Sequence, residues 1–343
     1  MQHITCKKTA LAAALAMTTL LAACGGGGGG SAATSSGTST SSTSSTSTTA
    51  SSQPTVTGTQ STPTYATGSA QLAMFTAINT YRQECGFPAL QQNTILDQAA
   101  QNHASYMAQN GGTVTDEEVQ GNPGFTGVTG QDRANALGWP SSVYAAAADA
   151  GYSGSATTPS AVGQQIVYSW AAGVYHQAAV IGPEALAGYG ITSITITSNG
   201  TQYPFYLAGT EIGQAVDQIA PSGAPLTFPC QGATGMPYAE YGESPMPPNA
   251  NTPFGTPVTV EGNLSDVIVL QSGMMTAPNG TVINLNVLNS SNDPNKLLGA
   301  YEAVAYPTSP LTANTQYSVT LTGTINGAAF SRNFSFTTGN VVG

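Results

Sequence analysis

Basic side chains are scarce in this chain of 343 residues, which holds 6 Lys and Arg against 16 Asp and Glu for a formal net charge of -10. No lysine occurs between Lys8 and Lys296. Because binding to phosphate backbones requires a stripe of Lys and Arg, the composition excludes electrostatic binding of nucleic acids. Attraction to anionic lipid surfaces is excluded for the same reason. The length is typical of about two domains.

The apolar run near the N-terminus, residues 11–21, is too short to span a bilayer and follows a short basic region at residues 7–8. This pattern predicts a signal peptide over residues 1–23. It ends in Leu21-Ala22-Ala23-Cys24, which resembles the bacterial lipobox. The resemblance implies cleavage before Cys24 and lipidation of its thiol, and the acyl chains would then hold the protein at a membrane.

Gly25 follows Cys24 where an aspartate could stand, which resembles outer-membrane sorting in lipoproteins of Gram-negative bacteria. We therefore expect a lipid-anchored protein of the bacterial cell envelope, at the outer membrane or the cell surface. Residues 24–70 are rich in Gly, Ser and Thr and carry no charged side chain, so they cannot build a core. They are predicted to form a flexible tether with an end-to-end distance on the order of 35 to 40 Å.

Four cysteines occur in the sequence. Cys6 would be removed with the signal peptide and Cys24 would be lipidated. Cys85 and Cys230 are left as the pair available for a disulfide in an oxidising compartment, and we expect them to be bonded. Two separate buried thiols are the alternative, because the sequence contains no distance between them.

The spacing of apolar residues predicts helices in the first folded segment. One helix begins near Gln71 and ends at Gly86, and a second begins at Asn93 or Thr94. His103 lies on the apolar stripe of the second helix. That setting is typical of a hydrogen-bonded core histidine, so we expect a structural role for it.

Later segments carry signals for caps and turns. Thr129 and Thr158 are placed to cap two further helices. Apolar residues then alternate around Asn199-Gly200, which predicts a β-hairpin, and helices followed by paired strands predict an α+β layer structure. Residues 258–343 alternate nearly throughout, with Asn326-Gly327 between the clearest pair of strands, and predict a small all-β sandwich.

Seven short segments stand out by their order and spacing. They are Ile78-Asn79-Thr80-Tyr81-Arg82, Cys85-Gly86-Phe87-Pro88-Ala89-Leu90, Ala99-Ala100-Gln101-Asn102-His103-Ala104, Asp132-Arg133-Ala134, Gly138-Trp139, Tyr175-His176-Gln177 and Gly188-Tyr189-Gly190. Together they resemble the CAP superfamily of cysteine-rich secretory proteins, antigen 5 and plant pathogenesis-related proteins, in particular its bacterial SCP-like branch. The resemblance covers about residues 71–232. It implies an α-β-α sandwich with a cleft that, in the best-matching members, holds two histidines and two glutamates.

The expected domain order follows from this resemblance. A CAP domain is predicted over residues 71–235, and a linker rich in Pro, Asn, Gly and Ser over residues 236–257. The β-sandwich of residues 258–343 resembles the Ig-like modules of secreted bacterial proteins, for which a spacer role is favoured over an adhesion surface. Glu240 and Glu243 in the linker are expected to be solvated.

The cleft residues of the family are only partly present. His176 matches one histidine, whereas Asp116 stands in the place of the other and is followed by Glu117 and Glu118. The family implies one of its two glutamates near Asp149 and the other elsewhere, and this sequence has neither of them. Candidate catalytic residues are therefore His176, Asp116 and Glu118. No cofactor is predicted; His176, Asp116 and Glu117 could hold a weakly bound divalent metal, although a solvated acidic loop is favoured.

Three functions stay open at this stage. The incomplete set of cleft residues favours a surface-tethered, non-enzymatic lipoprotein whose cleft binds a ligand or partner of the cell envelope. The alternatives are a hydrolase of cell-wall material or peptides, with His176 as general base and Asp116 or Glu118 as its partner, and a lipid- or sterol-binding protein. Motifs of the standard serine hydrolases, zinc proteases, nucleotide-binding proteins and dithiol oxidoreductases do not occur.

Overall fold

The computed structural model describes residues 56–156, 158–217 and 225–343. The predicted signal peptide, the predicted lipidation site Cys24 and most of the predicted tether lie outside the described residues. We refer to residues 56–217 as the N-terminal part and to residues 225–343 as the C-terminal part. Among the described helices, none is long and apolar enough to cross a membrane.

The N-terminal part combines helices with one five-stranded sheet. Its elements in chain order are β1 (Thr59–Gln60), α1 (Ala70–Glu84), β2 (Gln91–Asn93), α2 (Thr94–Gln109), α3 (Gly130–Ala136), β3 (Ala145–Tyr152), α4 (Pro159–Ala172), α5 (Ala178–Ile181), β4 (Glu184–Ser198) and β5 (Thr201–Ala215). The strand order is β1-β2-β4-β5-β3. Strands β2 and β4 run parallel, and the other neighbours are antiparallel.

Side-chain caps start the helices at the predicted places. Ser69 caps α1, Asn93 caps α2, and Thr158 caps α4 directly before a proline at the first helical position. Thr129 and Asp132 form a reciprocal capping box at the start of α3. These local hydrogen bonds satisfy backbone N–H groups that have no partner within the helix, so the helix starts can be read from the sequence.

Helices cover both faces of the sheet. Gly188 and Gly190 of β4 face α2, where an added Cβ would collide with the α2 backbone. Tyr189 points to the opposite face, because successive residues of a strand alternate, and its ring lies near those of Phe75 in α1 and Trp170 in α4. The predicted α-β-α sandwich is confirmed, and the two glycines allow α2 to lie close against the sheet.

The segment before α1 differs from the predicted tether, which extended to residue 70. Val56 is buried, and β1 pairs with β2. The hydroxyl of Tyr65 donates a hydrogen bond of 2.5 Å to Asp97 of α2. Residues 56–69 therefore pack against the sandwich, because they bury side chains and complete a sheet edge there.

The C-terminal part consists of strands and loops within its described residues. The strands are β6 (Leu226–Phe228), β7 (Val258–Glu261), β8 (Ile268–Thr276), β9 (Val282–Asn284), β10 (Asn286–Asn289), β11 (Glu302–Tyr306), β12 (Gln316–Ile325) and β13 (Ala328–Thr337). They form two four-stranded sheets, β10-β11-β7-β6 and β13-β12-β8-β9. Val260 of β7 and Leu321 of β12 belong to one shared hydrophobic cluster. The predicted all-β architecture is confirmed, and the Ig-like assignment stays a prediction.

Two predicted boundaries are not matched by the packing. Strand β6, predicted to lie in the CAP domain, pairs with β7 of the C-terminal part. The predicted linker is packed rather than exposed, since Met236 and Phe254 are both 0% exposed. One hydrophobic cluster joins Trp170 of the N-terminal part to Met236 and Val319. The division into two domains therefore stays a prediction.

A disulfide connects the two parts. Cys85, at the end of α1, is bonded to Cys230, which follows β6 and lies 145 residues later in the chain. This confirms the predicted pairing and excludes two separate thiols.

Three buried glutamates meet where the two parts touch, and we name Glu184, Glu261 and Glu302 the joint cluster. Glu261 and Glu302 are directly opposite each other in the β7–β11 pair, and both carboxylate oxygens of Glu261 lack a hydrogen-bond partner among the residues that the structure describes. Arg82 lies nearby and donates to the carbonyl oxygens of Gly182 and Glu184. Burial raises the pKa of Glu184 and of Glu302 to about 7, and burial together with Glu302 raises that of Glu261 well above its ordinary value.

Candidate functional site

His103 is buried in α2 with hydrogen-bond acceptors on both sides of its ring. Nδ1 lies 2.9 Å from Oε1 of Glu118, and Nε2 lies 2.6 Å from the Thr115 carbonyl oxygen and 3.3 Å from Oδ2 of Asp149. Nε2 donates its hydrogen bond to the Thr115 carbonyl oxygen, the shorter contact, and Asp149 acts as a charge partner of the ring. The ring is therefore held as an imidazolium.

The protonation of His103 follows from opposing contributions. Burial alone would lower its pKa, but the carboxylates of Asp149 and Glu118 outweigh burial and raise that pKa to about 9. Neither ring nitrogen is open to a substrate or a metal. This arrangement agrees with the structural role predicted for His103, although the sequence did not indicate its charge.

Glu118 is committed to His103 and to the loop that follows. Its carboxylate accepts hydrogen bonds from the backbone N–H groups of Thr126 at 2.5 Å and Gly127 at 3.2 Å, as well as from the Thr126 hydroxyl. The residue is 2% exposed. The prediction that Glu118 assists His176 is therefore wrong, because its acceptor positions are already used to fix the loop to His103.

Asp149 joins the site although the sequence did not suggest it. It lies on β3, directly opposite Gly209 of β5, and is 4% exposed. A Cβ at position 209 would lie 2.5 Å from Oδ1 of Asp149, so the glycine provides the space for this carboxylate. The run of alanines before Asp149 gives no strand signal, which is why both β3 and this site residue escaped prediction.

Asp116 lies at the exposed edge of the site. The surrounding protein displaces water from its carboxyl, and this effect together with the charge of Asp149 raises its pKa to about 6, while His176 acts in the opposite direction. The backbone carbonyl of Asp116 accepts a hydrogen bond of 3.0 Å from Arg133, whose Nε donates to Glu211 at 2.7 Å. This buried pair holds the loop at Asp116 in place.

His176 follows α4 and is oriented by a carboxylate from the C-terminal part. Nδ1 of His176 lies 2.8 Å from Oε2 of Glu243, and the two side chains are 18% and 3% exposed. Burial lowers the pKa of His176, but Glu243, and then Asp116 and Glu240, outweigh burial and raise it. Within the described residues, no protein group hydrogen-bonds Nε2, so this nitrogen is open to a ligand.

The expectation that Glu240 and Glu243 are solvated is wrong. Glu240 is 6% exposed, and burial is the main reason that its pKa rises to about 7. Glu243 is buried against the turn that carries His176. The sequence around them, residues 236–257, is rich in Pro, Asn, Gly and Ser and looks like an exposed loop. Its packing depends on contacts with residues more than sixty positions away, such as the 67-residue separation between His176 and Glu243.

The predicted metal ligands do not come together. In residues 56–156, 158–217 and 225–343, no group of three or more His, Cys, Asp or Glu side chains could hold a metal ion. Of the candidates, Asp116 lies close to His176, whereas Glu117 is an exposed loop residue. The carboxylates around His103 are used by hydrogen bonds and ion pairs within the protein.

We define the cleft cluster as His103, His176, Asp116, Asp149, Glu118 and Glu243. Two of its members offer chemistry to a partner, the open Nε2 of His176 and the carboxyl of Asp116 at the exposed edge of the site. In the described part of the chain, no serine, threonine or cysteine side chain hydrogen-bonds either histidine. The pairing of nucleophile and base that covalent hydrolases use is therefore not assembled there.

A separate groove of about 420 Å³ opens between α1 and α4. Its lining includes small and polar residues such as Ala73, Thr76, Ser160 and Gln164, and none of the cleft cluster. This mixed lining does not favour the lipid- or sterol-binding alternative, for which an apolar cavity is expected.

A comparison with known protein families found a match within the N-terminal part. Residues 75–187 match the family model described as CAP, the cysteine-rich secretory protein family. A search of curated proteins found no match. The matched range contains His103, Asp116, Asp149 and His176, whereas Glu243 lies outside it. Within a helix-covered sheet that α2 approaches closely at Gly188 and Gly190, residues 75–187 match a CAP domain of the cysteine-rich secretory protein family.

Proposed function

We propose that this chain is a membrane-tethered CAP-domain protein whose cleft binds an amide- or hydroxyl-bearing ligand of the cell envelope without chemical turnover. One observation carries the proposal. The open Nε2 of His176 and the carboxyl of Asp116, an exposed residue, lie close enough for their charges to interact, whereas both ring nitrogens of His103 and the carboxylate of Glu118 are used within the protein.

The charge states of these two groups define the ligand chemistry. The pKa of His176 is raised, which favours the imidazolium and makes Nε2–H a hydrogen-bond donor. The pKa of Asp116 is about 6, so its carboxyl is mostly ionised at neutral pH and accepts hydrogen bonds. A donor beside an acceptor matches an amide group, which presents one C=O and one N–H. Peptides and N-acetylated glycans both carry such groups.

Hydrolysis of cell-wall material or peptides is a second candidate. The contact between Glu243 and His176 favours it, because a carboxylate that orients a histidine is a common support for a general base. The raised pKa of His176 counts against it, since it reduces the fraction of the neutral ring, which is the form that can accept a proton. Binding is therefore the better supported function.

The tether is proposed from the sequence. The motif Leu21-Ala22-Ala23-Cys24 supports lipidation at Cys24, and the uncharged residues after it support a flexible connection to the CAP domain. A Cys24→Ser variant is expected to move from the membrane fraction to the soluble fraction of the producing bacterium. Retention in the membrane fraction would contradict lipid anchoring at Cys24.

Calorimetric titration of the full chain with an N-acetylglucosamine trimer and with trialanine tests the binding function. We expect His176→Ala and Asp116→Asn each to weaken binding by about tenfold, the loss of one hydrogen bond to a charged group. Glu117→Gln is the matched control, because it removes an exposed carboxylate next to Asp116, and it is expected to bind as the parent does.

The outcomes separate the candidates. Absence of heat with both probes, or equal affinity in His176→Ala and the parent, would contradict binding in the cleft. Release of smaller fragments by the parent but not by His176→Ala would establish hydrolysis instead. Lipid that copurifies with the parent chain and not with a cleft variant would favour the lipid-binding alternative.

A further inference from the structure

The C-terminal part supplies a carboxylate to the turn that carries His176. Glu243 accepts hydrogen bonds from the backbone N–H groups of Val174 at 2.6 Å and Tyr175 at 3.0 Å, and its Oε2 lies 2.8 Å from Nδ1 of His176. One carboxylate therefore binds three consecutive residues. Its side chain is 3% exposed, so water does not compete for these contacts.

A second carboxylate of the C-terminal part binds the residue next to His176. The Tyr175 hydroxyl donates to Oδ1 of Asp293 at 2.8 Å and accepts a hydrogen bond from Asn295 at 2.9 Å. Asp293 is 4% exposed and lies in the loop between β10 and β11, where it also accepts the backbone N–H of Leu297. The loop is thus held by a hydrogen bond of its own in addition to its contact with Tyr175.

These contacts are more specific than the packing of a spacer. A spacer would need only apolar contacts or a flexible connection, whereas here two buried carboxylates converge on adjacent residues of the CAP domain. A carboxylate only accepts hydrogen bonds, so Nδ1 of His176 must be the donor and Nε2 must face away from Glu243. The orientation that leaves Nε2 open therefore comes from the C-terminal part.

We propose that the C-terminal part is a component of the binding site, in which Glu243 is the positioning residue for His176 and Asp293 anchors the neighbouring Tyr175. This inference rests on the proposed function of His176 and extends it by assigning a role to the C-terminal part. The site then consists of two halves that are distant in sequence, and the CAP domain contains only one of them.

Three carboxyl groups act on the charge of His176. Glu243 and Glu240 come from the segment after β6, and Asp116 comes from the loop after α2. Only Glu243 also makes a hydrogen bond to the ring, because Glu240 accepts from the backbone N–H of Gly242. Positioning and charge can therefore be separated by comparing variants at 243 and 240.

The test is an NMR titration of the His176 ring in the full chain, which needs no ligand. We expect Glu243→Gln to lower the pKa of His176 by about one unit or more, as removal of a neighbouring opposite charge does. Glu243→Asp keeps the charge and should restore most of the shift. Glu240→Gln should lower the pKa less than Glu243→Gln does, and Glu117→Gln should leave it unchanged.

A second readout reports on the anchor at Asp293. Asp293→Asn is expected to speed amide hydrogen exchange at residues 174–176 about tenfold, and to leave the exchange of α2 unchanged. Because this readout does not require Glu243 to be altered, it keeps the proposal testable even if the variants at 243 do not fold.

The results distinguish this proposal from the proposed function. An unchanged His176 pKa in Glu243→Gln, equal shifts from the variants at 240 and 243, or unchanged exchange in Asp293→Asn would overturn the two-half site. If the pKa falls as expected but the parent chain binds neither the N-acetylglucosamine trimer nor trialanine, the positioning role stands and the proposed binding function fails.

Discussion

The joint cluster and the cleft cluster are built from the same residue types in different surroundings. The joint cluster places three glutamates of 0 to 6% exposure beside the guanidinium of Arg82. The cleft cluster alternates carboxylates with cationic rings, so that Glu118 and Asp149 face His103 and Glu243 faces His176. Three carboxyl groups of the joint cluster share one nearby cation, whereas the four carboxyl groups of the cleft cluster surround two histidine rings.

Because of this difference, we expect the joint cluster to affect stability and the cleft cluster to take part in ligand binding. Buried like charges cannot all ionise, so the joint cluster must hold protons at neutral pH, and it is closed to solvent. In the cleft cluster the rings of His103 and His176 each face a carboxylate, and the cluster has an exposed edge at Asp116. The cleft cluster can therefore act toward a ligand because part of it is open, whereas the closed joint cluster cannot.

The largest expected effect comes from opening the disulfide that connects the two parts. Replacing Cys85 and Cys230 together by Ser should lower the free energy of unfolding by about 5 kcal/mol, because the bond closes a loop of 145 residues in the unfolded chain. Urea denaturation measures this loss. The His176 titration serves as the control and should stay unchanged at urea concentrations where the variant is folded; a shifted His176 pKa would show that the cleft depends on the disulfide.

The joint cluster predicts lower stability at alkaline pH. The folded-state pKa values of Glu184 and Glu302 are raised to about 7 from the ordinary glutamate value of 4.5, so the native state binds more protons than the unfolded state. The stability from each group is fully present below about pH 4.5 and is lost as the pH rises through about 7. Each group can lower the free energy of unfolding by on the order of 3 kcal/mol between pH 5 and pH 8.

A variant of Glu261 tests whether this pH dependence comes from the joint cluster. Carboxyl groups outside it, at Asp116, Glu211 and Glu240, have raised pKa values and act in the same direction. Glu261→Gln removes one titratable carboxyl group from the joint cluster alone and should reduce the difference between pH 5 and pH 8 in urea denaturation. An equally large difference in this variant would show that the joint cluster is not its main source.

The smallest expected effects separate the two histidines of the cleft cluster. His103→Ala leaves the carboxylates of Glu118 and Asp149 buried without their cation, which should cost about 3 kcal/mol of stability at pH 6. His176 is partly exposed, so His176→Ala should cost less than about 1 kcal/mol. Thermal unfolding of both variants measures the difference. Similar losses would contradict the division into a structural histidine and a ligand-facing histidine.

Features governed by neighbouring residues could be predicted. The starts of α2 and α4 follow from the caps Asn93 and Thr158, and the β4–β5 hairpin follows from Asn199-Gly200. These structures form because a side chain caps its own helix or a turn joins adjacent strands. Strand β3 was missed, since its alanines carry neither the period nor the composition of a strand.

The candidate site was predictable only in part. Asp116 and His176 were identified through the family resemblance and do lie close together. Glu118 was assigned to the wrong histidine, and Asp149 and Glu243 were left out. Each of these errors concerns a contact made across strands or between distant segments, for which no local pattern exists.

From the order of its residues alone, this chain specifies its helix starts, its hairpins, its resemblance to the CAP family and the two cysteines that could pair. The helix starts and hairpins depend on hydrogen bonds and apolar spacing within a few positions. Folding in three dimensions was needed to bring Asp149 to His103 and Glu243 to His176, the latter across 67 residues. The reason is physical: which carboxylate meets which histidine depends on how distant strands and loops pack, and that packing has no signature in any short stretch of sequence.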